Sequence, residues 1–318
     1  MGKMKDFVVV HGKKVKVHKR YNEEVQTLFK LYLSDLNISD LSEVQGLSEL
    51  TQLEDLTISY NEISNIDDFP DLPKLELLNL SINQISEING LEKLINLKEL
   101  RLNNNNISEI KNLQCLKKLE LLNLNMNPIN EIKNLCDLKE LKYLNLSSNQ
   151  ISEIQGLENL VNLKRLDLSK NQITEIKGLQ NLINLKDLKL SGNKILEIKD
   201  LEHLKKLELL DLRDNQISEI KGISYLKNLE KLFLSNNNIS EIQSLENLYK
   251  LKSLWLNNNN IIEIQGLSHL LYLEGLNLKE NKIPQEIFEK IGVDSYTRFP
   301  DETQKFVKYC QQKTKTGK

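Results

Sequence analysis

Hydrophobic and polar positions fall into one 22-residue pattern, written eleven times along the chain. The copy that starts at Arg165 is the clearest. Leu166 and Leu168 alternate, Asn171 follows, Ile173 and Ile176 stand three apart, and Leu179, Leu182 and Leu185 recur every third residue. With Arg165 as position one, leucine fills positions two and four, asparagine seven, isoleucine nine and twelve, and leucine fifteen, eighteen and twenty-one. The asparagine column reads Asn61, Asn83, Asn105, Asn127, Asn149, Asn171, Asn193, Asn215, Asn237, Asn259 and Asn281, with no insertion. The alternating piece predicts a short strand whose leucines point inward and whose intervening residue points out. Spacing by threes suits a 3₁₀ or irregular turn better than a long helix. Units of this kind stack, strands in parallel on one side and turns on the other. The bulkier turn side bends the stack into a horseshoe with the strands inside. At ~4.8 Å per strand the inner ladder is roughly 50 Å long.

The ends depart from the pattern. Residues 7–17 run Phe-Val-Val-Val-His-Gly-Lys-Lys-Val-Lys-Val, which predicts a hairpin turning at His11-Gly12. Residues 22–33 predict a helix, with Asn22 as N-cap and Val25, Leu28, Phe29 and Tyr32 on one face. Together, residues 1–33 are expected to form an N-terminal cap over the leucines of the first repeat. The array itself is placed at 34–283, one degenerate unit with Ser39 in the asparagine position and then eleven regular ones. Pro284 breaks it. Ile287, Phe288 and Ile291 predict a short amphipathic helix, and a second begins at Asp301 with Phe306, Val307, Tyr309 and Cys310 on its apolar face. These make residues 284–312 a C-terminal helical cap. The tail, 313–318, is expected to be disordered because it is too polar to pack.

Period, register and residue types resemble the leucine-rich repeat family over residues 34–283, in its 22-residue subclass shared by phosphatase-regulator-like and internalin-like members. That resemblance implies a solenoid of the horseshoe type, with a parallel concave sheet and short convex turns. It also implies a scaffold for protein partners. In the phosphatase-regulator members a tryptophan at position three near the end of the array grips a phosphatase. Trp255 matches that position, whereas Ser253 and Asn277 stand where an acidic residue and a further aromatic would be. The internalin-like members share the repeat but are exported.

Composition adds exclusions. With 45 acidic and 43 basic residues the formal net charge is −2, which gives no field toward nucleic acid or an anionic membrane. No apolar run reaches the ~18 residues of a membrane span. The first residues, Met-Gly-Lys-Met-Lys-Asp, lack the apolar core of a signal peptide, so a cytoplasmic protein is expected, as a monomer. Cys115, Cys136 and Cys310 form no CxxC pair and are read as packed thiols rather than a disulfide framework. An 88-residue periodicity overlies the short one: Leu116–Leu122 recurs at Leu204–Leu210, as a duplicated four-repeat block would.

The asparagine column has a structural task, satisfying backbone groups of the turning chain. A second column, Glu87, Glu109, Glu131, Glu153, Glu175, Glu197, Glu219, Glu241 and Glu263, is often followed two residues on by lysine, which predicts a mixed, solvated edge. The informative positions are one, three and five, whose side chains the core cannot claim. There Phe233 and Trp255, the chain's single tryptophan, are expected side by side on the concave wall. Aromatic and arginine side chains carry much of the energy of protein interfaces. The same wall is expected to hold Tyr143, Lys231 and a lattice of alternating sign, Arg165, Asp167, Asp187, Lys189, Asp211 and Arg213, which is either a polar rim for a charged partner or a set of cross-strand ion pairs.

Nothing in the sequence assembles a catalytic site. The four histidines, His11, His18, His203 and His269, have no carboxylate or cysteine at triad spacing, and no phosphate-binding or metal-binding motif is present. The expected function is therefore a non-enzymatic protein–protein interaction scaffold with no cofactor, binding a protein partner on its concave face. The alternative is a regulatory subunit of an intracellular enzyme such as a protein phosphatase or a small GTPase.

Overall fold

The computed structural model describes residues 6–21, 27–297 and 299–316. It divides into two compact units, residues 1–151 and 152–318.

In the first unit, β1 (Phe7–Val10) and β2 (Lys13–Lys16) form an antiparallel hairpin with Val10 opposite Lys13. Its two-residue turn requires positive φ twice, which His11 (φ 49°) and Gly12 (φ 75°) supply. Val8 and Val10 enter the core, and Val9 exchanges backbone hydrogen bonds of 3.0 and 2.9 Å with Gln45.

A second hairpin follows, β3 (His18–Tyr21) against β4 (Thr27–Tyr32), and β4 runs on in parallel beside β5 (Asp55–Thr57) with Leu31 opposite Leu56. The helix expected over 22–33 is thus corrected: residues 27–32 are strand, and the expected cap at Asn22 lies outside the described residues. Two periods compete in this segment. A helical face fits Val25, Leu28 and Phe29, but Phe29, Leu31 and Leu33 also alternate. As a strand, Leu31 and Leu33 take positions two and four of a repeat, bury fully, and pair the edge that β5 would otherwise leave open. The expected start at residue 34 is shifted accordingly. Leu36, 25 residues before Asn61, holds the asparagine position rather than Ser39, and its N–H is taken by Asn61 Oδ1 at 3.1 Å.

The strands β6 (Leu77–Asn79), β7 (Glu99–Arg101), β8 (Leu121–Asn123) and β9 (Tyr143–Asn145) continue the parallel ladder of the first unit. In the second unit the ladder is β10 (Arg165–Asp167), β11 (Asp187–Lys189), β12 (Leu209–Asp211), β13 (Lys231–Phe233), β14 (Ser253–Trp255) and β15 (Gly275–Asn277).

Each repeat is built alike. Leucines at positions two and four, and the isoleucines and leucines of the turn side, are fully buried. The turn side consists of successive three-residue closures, as in Leu182 N–H to Leu179 O (3.0 Å) and Leu185 N–H to Leu182 O (2.9 Å). Among the described residues, only Leu41–Glu43 and Leu47–Glu49 extend these into 3₁₀ helix. Asn193 shows the work of its column. Its Nδ2 donates to Leu168 O (3.0 Å) and Leu190 O (2.9 Å), while its Oδ1 accepts from Ile173 N–H (3.0 Å). One side chain thereby ties two adjacent repeats. The residue before each asparagine adopts the left-handed conformation, as at Ile82 (φ 56°), Asp214 (φ 56°) and Asn258 (φ 54°).

The second unit closes with α1 (Gln285–Ile291), β16 (Tyr296–Thr297) and α2 (Pro300–Thr316). The two-residue β16 lies antiparallel to β15, with Tyr296 opposite Asn277. Phe306, Val307 and Cys310 of α2 are buried over the last repeat, and Phe306 meets Phe288 edge-on at 6.3 Å. Thr303 Oγ1 donates to Glu274 O (2.9 Å) and Gln304 Nε2 to Leu273 O (2.9 Å), so the helix also caps carbonyls of that repeat. The disordered tail expected at 313–318 is corrected for 313–316, which are helical. Lys313 continues the face of Cys310 and pairs with Glu263, and that charge pairing anchors a turn the polar composition argued against.

Candidate functional site: the strand face of the second unit

Parallel register sets Phe233 of β13 directly beside Trp255 of β14, with Leu232 and Leu254 buried behind them. The rings lie outward, half-buried, with centroids 4.9 Å apart at a 50° tilt. The Arg213 guanidinium sits over both, 5.4 Å from the Phe233 ring and 6.0 Å from the Trp255 ring, within the range of cation–π attraction. Asp211 holds it there. Arg213 Nε donates to Asp211 Oδ1 at 2.9 Å and Nη2 to Oδ2 at 2.6 Å. These bonds push the guanidinium further above its ordinary pKa against the opposing effect of burial.

Asp211 is corrected as a contact residue. Expected on the open wall, it is only 3% exposed, because the Arg213 fork covers it. Its part is to brace Arg213. The neighbouring charges pair among themselves: Arg165 with Asp187 at 2.9 Å and Lys189 with Asp167 at 3.8 Å. Exposed pairs of this kind contribute ~0–1 kcal/mol each. Lys231 is exposed. Tyr143 belongs to the first unit, half-buried, with its hydroxyl accepting from Asn145 Nδ2 at 3.3 Å.

The face continues beyond the aromatic pair into a hollow of about 370 Å³, lined among others by Arg213, Trp255, Asn257, Lys279 and Tyr296. Lys279 Nζ lies 5.2 Å above the Tyr296 ring. Asn257 Oδ1 accepts from Ser235 Oγ (2.5 Å) and from Asn277 Nδ2 (2.9 Å), which assigns the amide and leaves its Nδ2 as a donor. Neither Asn257 nor Tyr296 stands out in the sequence. Asn257 sits where serine and asparagine are routine, and Tyr296 reaches the face only through the pairing of β16.

Elsewhere, the glutamate column is an ion-paired edge, though each lysine reaches chiefly to the preceding repeat's glutamate: Lys111 to Glu87 at 2.8 Å, Lys199 to Glu175 at 3.8 Å, Lys221 to Glu197 at 2.7 Å. His269 Nε2 lies 2.6 Å from Leu245 O on the turn side. Among the described residues no cluster of three histidine, cysteine or acidic side chains forms a metal site. The three cysteines are free. Cys310 is buried, which pushes its thiol pKa up, whereas Cys136 is exposed rather than packed as expected. Among those residues, too, no helix is long and apolar enough to cross a membrane.

With strands, turns and asparagine ladder in place, the chain belongs to the leucine-rich repeat family, whose folds typically serve as interaction scaffolds. Models described as "Leucine Rich repeats (2 copies)" match residues 73–115, 139–181, 161–205, 205–247 and 227–271, and one described as "Leucine rich repeat" matches 20–85. Its fold is similar to that of the internalin InlF of Listeria monocytogenes, at 29% identity and a TM-score of 0.67, covering 85% of this chain and 89% of that one. A leucine-rich repeat protein of Leptospira interrogans is similar at 26% identity and a TM-score of 0.72, over 83% of this chain and 76% of that one. The ectodomain of the plant receptor kinase GASSHO1/SCHENGEN3 of Arabidopsis thaliana, solved in complex with CASPARIAN STRIP INTEGRITY FACTOR 2, is similar at 26% identity and a TM-score of 0.59, over 79% of this chain and 35% of that one. No curated protein matches the chain.

Proposed function

We propose that this chain is a non-enzymatic scaffold that binds a partner protein on the strand face of its second unit. Phe233 and Trp255 are the anchor, and the exposed charges around them are the polar rim. The observation that carries this reading is the braced aromatic pair. At position three of the repeat the fold needs no apolar side chain, yet two adjacent rings stand there with an arginine locked over them. Rigid aromatic groups of this kind lose little entropy on contact and bury large area. The Arabidopsis receptor ectodomain, whose structure holds a bound partner, supports partner binding as a use of such a fold. A cytoplasmic setting is part of the same proposal, supported by the free and exposed Cys136.

The test is affinity capture with the wild-type chain beside Phe233→Ala/Trp255→Ala, both first checked for native circular dichroism. A protein retained by the wild type and lost by the double variant is the expected result. Identical captures would overturn the assignment of the site.

A further inference from the structure

We infer that the partner segment is acidic, with two carboxylate side chains flanking one apolar side chain in extended conformation. This rests on the strand-face reading above and adds what the partner must look like.

Two cations on this face are left without an acidic partner among the described residues. On this face Arg165, Lys189 and Arg213 each have a carboxylate partner. Lys231 and Lys279 have none among the described residues, and they stand on opposite sides of the aromatic pair. Lys279 opens onto the hollow, where Asn257 Nδ2 offers a further donor and Arg213 has spent only Nε and Nη2 on Asp211. The one carboxylate on that lining, Asp214, already accepts from Asn236 Nδ2 at 2.5 Å. Donors therefore outnumber acceptors at the hollow, and an arriving carboxylate finds a lysine, an amide and an arginine edge above the Trp255 and Tyr296 rings.

Geometry sets the spacing. Lys231 is at position one of its repeat and Lys279 at position five, two strands away. At ~4.8 Å between strands and ~3.3 Å per residue, they are roughly 16 Å apart along a diagonal with Trp255 at its midpoint and Phe233 beside it. An extended chain covers that span in about five residues. Side chains of an extended chain share a face only at every second residue, so the fitting segment carries acidic residues four apart, ~13 Å, with the long lysine side chains closing the remainder and a leucine-sized or aromatic side chain midway for the two rings. A free chain end supplies only one of the two carboxylates in place, so side chains are the source.

The experiment displays a library of ten-residue peptides to the full-length chain. The central position is restricted to apolar residues and all others are random. Selected peptides are then titrated by fluorescence anisotropy against wild type, Lys231→Gln, Lys279→Gln and Phe233→Ala/Trp255→Ala. Enrichment of glutamate and aspartate four apart, on either side of the central apolar residue, is expected. Each lysine variant should weaken those peptides about tenfold, with a salt dependence the wild type shows and the variants lose in part. Binders lost with the aromatic variant, but neither acidic nor sensitive to either lysine, would overturn this inference and leave the site standing. A library that yields no binder, or binders indifferent to the aromatic variant, would overturn both. A fluorescent single-stranded oligonucleotide of twenty thymidines is the control for the other polyanion that rings and lysines can hold. Binding of it in place of acidic peptides would also overturn the inference.

Discussion

Asp211 is buried beneath Arg213 and accepts two of its hydrogen bonds, at 2.9 and 2.6 Å, and the guanidinium so held lies across Phe233 and Trp255. The aromatic pair is therefore shaped by a carboxylate that stands beside Phe233 in the ladder. Replacing Asp211 with alanine frees Arg213 and removes its neutralising partner. We expect a loss of about 2 kcal/mol, below the cost of breaking a fully buried pair because Arg213 is partly solvated. Denaturant unfolding followed by the emission of Trp255 reads both the stability and the altered ring environment.

Asn193→Ala should cost more than its size suggests. It leaves the buried N–H of Ile173 without its acceptor and takes one of two asparagine donors from each of the carbonyls of Leu168, which keeps Asn171, and Leu190, which keeps Asn215. A loss of about 3 kcal/mol is expected. Lys194→Ala next door, on the surface, should stay within ~0.5 kcal/mol. Equal midpoints for the two in urea would contradict the ladder.

Ile82 holds φ 56° and is the one β-branched residue in this left-handed column, where the other repeats place unbranched or small residues such as Asn104, Ser148, Gly192 and Asp214. A β-branched residue is poorly suited to that region. Ile82→Asn should raise stability by about 1 kcal/mol, measured as a higher urea midpoint at unchanged slope.

Acid should weaken the start of the array. The Ser39 hydroxyl, bonded to Glu43, holds that carboxylate below its usual pKa, and the Ser42 hydroxyl does the same for Asp40. An acid whose folded pKa is depressed contributes stability that is complete above its unfolded pKa and disappears as pH falls through the folded one. The melting temperature of the wild type should thus fall more than that of Glu43→Gln between neutral pH and about pH 3. Parallel curves would show that the Glu43 hydrogen bonds contribute nothing.

Much of the fold was legible because twenty-two residues carry one message eleven times, and a repeated leucine column outvotes any local ambiguity. Phe233 and Trp255 were legible for the same reason: position three cannot face the core. The N-terminal strand was not. Leu28, Phe29, Leu31 and Tyr32 satisfy both periods, and only the open edge of β5, a tertiary fact, decides for the strand. Asp211 and Tyr296 failed differently. A strand pattern gives the side on which a residue stands but not what lies over it, and Arg213 covers Asp211 by a contact two residues along the same chain. Tyr296 joins the face through a reversal of direction after the repeats end, where no period remains to be read.

That reversal has a further consequence. A parallel ladder has no intrinsic length; every last strand is a template for one more. In the second unit β16 meets β15 head to tail, and two residues suffice to end the series. Whole repeats can be inserted or deleted upstream of that stop by any unequal exchange of gene segments without disturbing it. The hollow beside Trp255 borrows a wall from the stop itself, so it travels with the terminus and keeps its form whatever the number of repeats before it. A recognition site built there is insulated from the length variation that tandem arrays accumulate.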